Sequence, residues 1–183
     1  MKRLISLTAI FIVIISSFVG CSGADNKVYI GEGKMTVIRS LIKANGFLAN
    51  SVIGADHLSV NESEMIIHDS KTLAPVESDI ISTYSDLEKL VESTYTEDIA
   101  KKLLNEPKKY YDIDGKLYFD MQYSESENPK YDWSDFTVEF KKLNDDGSYL
   151  FKVSLKKTNG FSTSVKIDVT DKDGVIRLCD FYE

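Results

Sequence analysis

Two cysteines, two histidines and 29 carboxylates are the side chains from which this 183-residue chain could build chemistry. His57 and His68 stand eleven apart with no cysteine nearby, which is not a zinc spacing. Cys179 lies in GVIRLCDFYE, an apolar-rich stretch that reads as a terminal strand in which cysteine packs as a small hydrophobe. Asp171-Lys172-Asp173-Gly174 and Asp145-Asp146-Gly147 carry fragments of a calcium loop. The twelfth position counted from Asp171 is Tyr182, where such a loop needs glutamate, so both read as turns. Gly-x-Ser-x-Gly, phosphate-loop and dinucleotide fingerprints do not occur in the sequence. A glycosidase needs two carboxylates set across a cleft, and 29 acids neither support nor oppose such a pair. Tyr110, Tyr111, Tyr118 and Trp133 offer faces for sugar rings, yet aromatics in alternating strands read first as core. The residues point to a protein that is not an enzyme and needs neither metal nor cofactor.

The local feature that stands apart is the stretch from Tyr123 to Trp133. It carries Glu125, Glu127 and Asp132, with Asp135 just beyond, against a lone Lys130. Its plain reading is a solvated connection between strands. Its sharper reading is an acidic finger for a basic or polar cleft on another protein, because long polar loops on rigid sheets are common binding elements.

Cys21 belongs to a different chemistry. Met1-Lys2-Arg3 opens the chain, Leu4 to Gly20 contains no charge, and the run ends in Phe18-Val19-Gly20-Cys21. A basic start followed by an apolar stretch is the plan of a secretory signal. The run is marginal for a membrane span, which needs roughly 20 apolar residues. Its last four residues resemble a bacterial lipobox. That resemblance implies diacylglycerol on the Cys21 sulfur, cleavage after Gly20, and a chain exported and anchored to the cell membrane by lipid on its extracytoplasmic face. More than one acyl chain holds a protein stably on a bilayer, and the small polar residues SGADNK suit a tether. With Cys21 used in this way Cys179 is alone, so the exported part holds together without a disulfide.

Without residues 1–20 the chain has 20 basic and 29 acidic side chains, a net charge of −9. This disfavours nucleic acid and adhesion to anionic lipid, and favours basic partners. A length of about 160 residues suits one domain. The division expected is a signal peptide at 1–20, a lipidated tether at 21–33 and a monomeric domain at 34–183.

The elements that would position these residues fall into two groups. Val37, Ile38, Leu41 and Ile42 have helical spacing, and Asn45-Gly46 marks an end or bend. EMIIHD reads as a strand and TLAPVES as an extended connector interrupted by Pro75. Ser85-Asp86-Leu87-Glu88 fits a capping box for a helix with Leu87, Leu90 and Val91 on its apolar face. Thr94-Tyr95-Thr96-Glu97 starts another helix, with Ile99, Ala100, Leu103 and Leu104 on one side. YYDIDGKLYFDM is a hairpin around Asp114-Gly115. From DFTVEF to the end, alternating strands and turns follow one another. The class is α+β, with N-terminal helices packed on one face of a C-terminal antiparallel sheet of about five or six strands.

DLEKLVESTYTEDIAKKLL, IDGKLYF, the Trp-bearing acidic stretch, YLFKVSL and DGVIRLCDF together resemble the cell-wall DL-endopeptidase inhibitor (IseA-like) family over roughly Val76 to Phe181. The resemblance implies a protein that restrains peptidoglycan hydrolysis by binding papain-like NlpC-type cysteine endopeptidases. Glu125, Glu127, Asp132 and Asp135 would then occupy the peptidase groove. The same helix pair, hairpin and long sheet also suit a cystatin-like or NTF2-like cone that binds a small ligand or serves as an accessory module. The two readings part on whether the sheet curls around a pocket.

Overall fold

The computed structural model describes residues 28–53, 57–105, 109–123 and 131–182. Cys21, Glu125 and Glu127 lie outside the described residues.

Helix α1 (Glu32–Phe47) buries Met35, Ile38, Leu41, Ile42 and Asn45, one stripe at helical spacing. It begins inside the last two residues of the expected tether. Asn45-Gly46 does not end it: the helix runs on through Phe47 into a π-helical turn, Leu48–Ile53. Strands β1 (Ile66–His68) and β2 (Lys71–Pro75) then form a hairpin whose two turn residues, Asp69 and Ser70, both have positive φ. TLAPVES is therefore largely strand rather than connector. Pro75 is tolerated because it closes β2, and the next N–H, that of Val76, donates to the Leu117 carbonyl at 2.8 Å.

Helix α2 (Tyr84–Thr94) is capped two residues before the expected place. Thr83 Oγ1 accepts from the Asp86 N–H, and the Asp86 carboxylate accepts from the Thr83 N–H, a reciprocal box. Helix α3 (Glu97–Asn105) follows directly. Strands β3 (Tyr110–Ile113) and β4 (Lys116–Asp120) form the hairpin expected at Asp114-Gly115, whose φ values of 54° and 80° make the type I′ turn. β5 (Tyr131–Leu143), β6 (Tyr149–Lys157), β7 (Ser162–Lys172) and β8 (Val175–Leu178) complete the chain as a meander.

The α+β class holds, but the strands divide into two antiparallel sheets of four, in the orders β1-β2-β4-β3 and β5-β6-β7-β8. A single sheet of five or six strands is thereby corrected. The reason is β2, which pairs with β4 across the intervening helices and draws the β3–β4 hairpin away from the meander. One hydrophobic core joins both sheets and all three helices. Its buried members run from Met35 to Leu178, so a chain starting at Ser22 retains all of them. No helix among the described residues is long and apolar enough to cross a membrane.

α1 lies lengthwise against the second sheet. Near its start, Lys34 Nζ meets Asp171 at 2.6 Å and the Tyr149 hydroxyl at 3.4 Å, at the end of β7 and the beginning of β6. Near its finish, Gly46 backs onto Trp133, at the beginning of β5. Buried Asn45 ties three parts of the chain together. Its side-chain oxygen accepts from the Tyr95 hydroxyl at 2.9 Å and the Tyr182 N–H at 3.1 Å, while its amide donates to the Tyr182 carbonyl at 2.7 Å.

Candidate partner-binding site

The chain leaves the first sheet at Tyr123 and enters the second at Tyr131, and the two described flanks of the acidic segment are held differently. Asp120, buried at the end of β4, holds the first flank. Its carboxylate accepts from Lys71 Nζ at 2.6 Å and from the Gln122 N–H at 3.0 Å. The Asp120 carbonyl accepts from the Tyr123 N–H, completing a tight turn out of the strand. Bonding to Asp120 and to Tyr111 raises the Lys71 ammonium above its ordinary range.

Trp133 holds the second flank. Its side chain is buried against α1 with Tyr131 packed edge-on at 5.9 Å. Trp133 is thus core, as alternation suggests, and so is Tyr110, whose hydroxyl donates to the Ser51 carbonyl at 2.6 Å. Tyr111 and Tyr118 sit on the opposite face of their strands and are half-buried.

Of the four candidate acids the structure describes two, Asp132 and Asp135. The Asp132 carboxylate accepts from the Ser134 N–H at 2.9 Å and the Ser134 hydroxyl at 2.5 Å. Those bonds, with Lys156 across the ladder, pull its carboxyl below the usual range. Asp132 therefore shapes the chain where β5 departs from regular pairing, a shift between Asp132 and Thr137. Asp135 is exposed on the same stretch. Nothing in the described residues bears on Glu125 or Glu127.

The remaining sequence candidates are scattered. His57 stacks on Phe119 at 4.5 Å, and its Nδ1 lies 2.7 Å from the Leu58 carbonyl. His68 is exposed beside Asp69. Cys179 is half-buried, and burial together with Asp168 and Asp146 pushes its thiol up to about 11, the wrong direction for a nucleophile. The calcium-like fragments form turns in which Asp146 accepts from the Ser148 N–H and hydroxyl, while Asp171, at the end of β7, holds Lys34. No group of three or more His, Cys, Asp or Glu side chains among the described residues is arranged to hold a metal. An open depression of about 490 Å³ beside these turns is lined by Asn144, Asp145, Asp146, Ser148, Asp168 and Cys179, a mostly polar set.

Sequence reasoning missed Asp120 and Lys71, the brace of the first flank, and Gly46, the seat of the second. Comparison with protein-family models and with curated protein sequences finds no match.

Proposed function

We propose that this protein is a lipid-anchored extracytoplasmic inhibitor of peptidoglycan DL-endopeptidases of the papain-like NlpC type, limiting cell-wall lysis. The observation that carries the reading is the bracing of both flanks of the acidic segment. Asp120 with Lys71 fixes where the chain leaves the first sheet and Trp133 on Gly46 fixes where it enters the second, so both described flanks of the segment are held in place without a partner. Asp135, Glu125 and Glu127 are the contact residues in this reading, and Asp132 shapes the strand beside them.

The polarity of the second sheet supports the anchoring arrangement. The chain from Cys21 reaches α1 at the end where Lys34 meets Tyr149 and Asp171, whereas Tyr131 lies at the other end, opposite Lys157. The nine residues of β6 separate the two ends by roughly 30 Å at the rise of a strand. A tether at Cys21 would thus hold one end at the membrane and present the other outward. The cone-like alternative draws less support, because the strands form two separate sheets rather than one that curls.

The test is to add the chain from Ser22 onward to a purified DL-endopeptidase digesting peptidoglycan. Turbidity loss should slow in proportion to the protein added, and Glu125→Lys with Glu127→Lys should relieve the effect. Unchanged turbidity loss at excess protein overturns the proposal. Anchoring is tested separately: labelled fatty acid should enter the wild-type protein in cells and not Cys21→Ala.

A further inference from the structure

Four strands form the edges of the two sheets, and three of them are short. β1 has three residues, β3 has four and β8 has four. β8 is also met by the link between α2 and α3, where Tyr95 bridges Leu178 and the Thr96 N–H donates to the Leu178 carbonyl at 2.9 Å. β5, the remaining edge, is 13 residues long and pairs with β6 alone. Among the described residues, no backbone group of β5 bonds to the backbone of any other element. An uncovered edge of this length offers a row of N–H and C=O groups to another strand.

The charges along β5 change sign. Asp132, Asp135 and Glu139 come first, and Lys141 and Lys142 follow. All but Asp132 are exposed. Lys141 holds Glu139 of its own strand at 2.5 Å, whereas Asp135 and Lys142 have no bonded partner among the described residues. Charge of a single sign keeps an edge from meeting its own copy. A strand that is acidic first and basic last instead attracts a copy running antiparallel to it. With a two-fold axis at Val138, Asp135 faces the second copy's Lys141, and Phe136 faces its Phe140. Pairs of opposite charge and pairs of aromatics are the kinds that stabilise antiparallel strands. Phe136, Val138 and Phe140 already pack on the core, so a second copy would lengthen an existing apolar row. The regular run of β5 against β6, Thr137 to Phe140, lies at this centre between two irregularities. Val138 stands roughly 20 Å along the strand from Tyr131, where the chain enters the sheet.

We infer that two copies of this chain associate edge to edge through β5, antiparallel about a two-fold axis at Val138, joining two four-stranded sheets into one of eight. The occupant of the edge is a second copy because the charge pattern of β5 is complementary to itself. Such a contact is isologous, the commonest arrangement among homo-oligomers. It takes the place of the monomer expected from the sequence and does not rest on the inhibitor reading. Asp135 serves both, so a bound peptidase and a second copy would compete for it.

The test follows the oligomeric state of the chain from Ser22 onward by sedimentation over a range of concentrations, with reductant present so that Cys179 cannot cross-link copies. Wild type should pass from monomer to dimer as concentration rises, and added salt should reverse the passage. Asp135→Lys with Glu139→Lys leaves residues 135–142 with basic charges alone. Lys141→Glu with Lys142→Glu leaves them with acidic charges alone. Each double variant should stay monomeric at concentrations that dimerise the wild type, and an equimolar mixture of the two should recover the dimer. Amide exchange within Thr137 to Phe140 should slow as the wild-type dimer forms. A wild type that is monomeric at every concentration overturns the inference. So does a dimer that survives in both variants, a mixture that stays monomeric, or a dimer whose β5 amides exchange unchanged. None of these outcomes touches the inhibitor reading, which is judged by turbidity.

Discussion

Gly46 lies so close to Trp133 that a β-carbon built on it would stand 2.3 Å from the tryptophan Cβ and 2.7 Å from its Cγ. Backbone of α1 and indole of β5 are in direct contact, with no side chain between them.

Gly46→Ala should therefore be destabilising although alanine is the better helix former. The propensity gain is about 1 kcal/mol. Against it stands overpacking of about 1–3 kcal/mol, and more where neither partner can move. Urea unfolding followed at the single tryptophan reads both the stability and the indole environment. A more stable variant with unchanged emission would contradict the contact.

Asn45→Ala should cost about 2–4 kcal/mol, because it strands the buried Tyr95 hydroxyl and two backbone groups of Tyr182 at once. Tyr95→Phe should cost about 1 kcal/mol, since Asn45 keeps its bonds to Tyr182. Burial already pushes the Tyr95 phenol well above its ordinary range. Equal losses in the two variants would show that Asn45 does not bridge the segments.

The cap of α2 gives an acid dependence. Bonds from Thr83 and Ser82 hold the Asp86 carboxyl below its ordinary value of 3.8. Its stabilisation is therefore fully present above that value and lost as pH falls through the lower folded pKa. Thr83→Ala should cost about 1 kcal/mol at neutral pH. Asp86→Asn should flatten the fall of the melting temperature below about pH 4. An unchanged acid limb would remove Asp86 from the account.

Cys179 should alkylate slowly. Its thiol is shifted from 9.0 to about 11, which lowers the thiolate fraction at pH 8 about a hundredfold. In the chain from Ser22 it is the sole cysteine, so mass spectrometry after iodoacetamide reports it alone. Modification as fast in the native protein as in urea would contradict the burial.

Local signals carried much of the fold into the sequence. Asp114-Gly115 between two apolar runs marks its hairpin, and alternation marks β5 to β8. β2 escaped because it is five residues long and ends in Pro75, and its partner β4 lies beyond two helices. No period in the sequence reports which sheet a strand joins. The site divides in the same way. Asp132 two residues before Ser134 is a turn pattern legible in the letters. Lys71 and Asp120 are 49 residues apart, and only the folded chain places them together. The role of Gly46 was hidden because glycine after asparagine also signals a helix end.

Asn45 also makes the first helix wait for a distant partner. It lies in α1, yet its amide is satisfied by Tyr182, 137 residues later. Closing a contact across so long a stretch of chain costs entropy that only the assembled core repays, so α1 is locked in place late in folding rather than early.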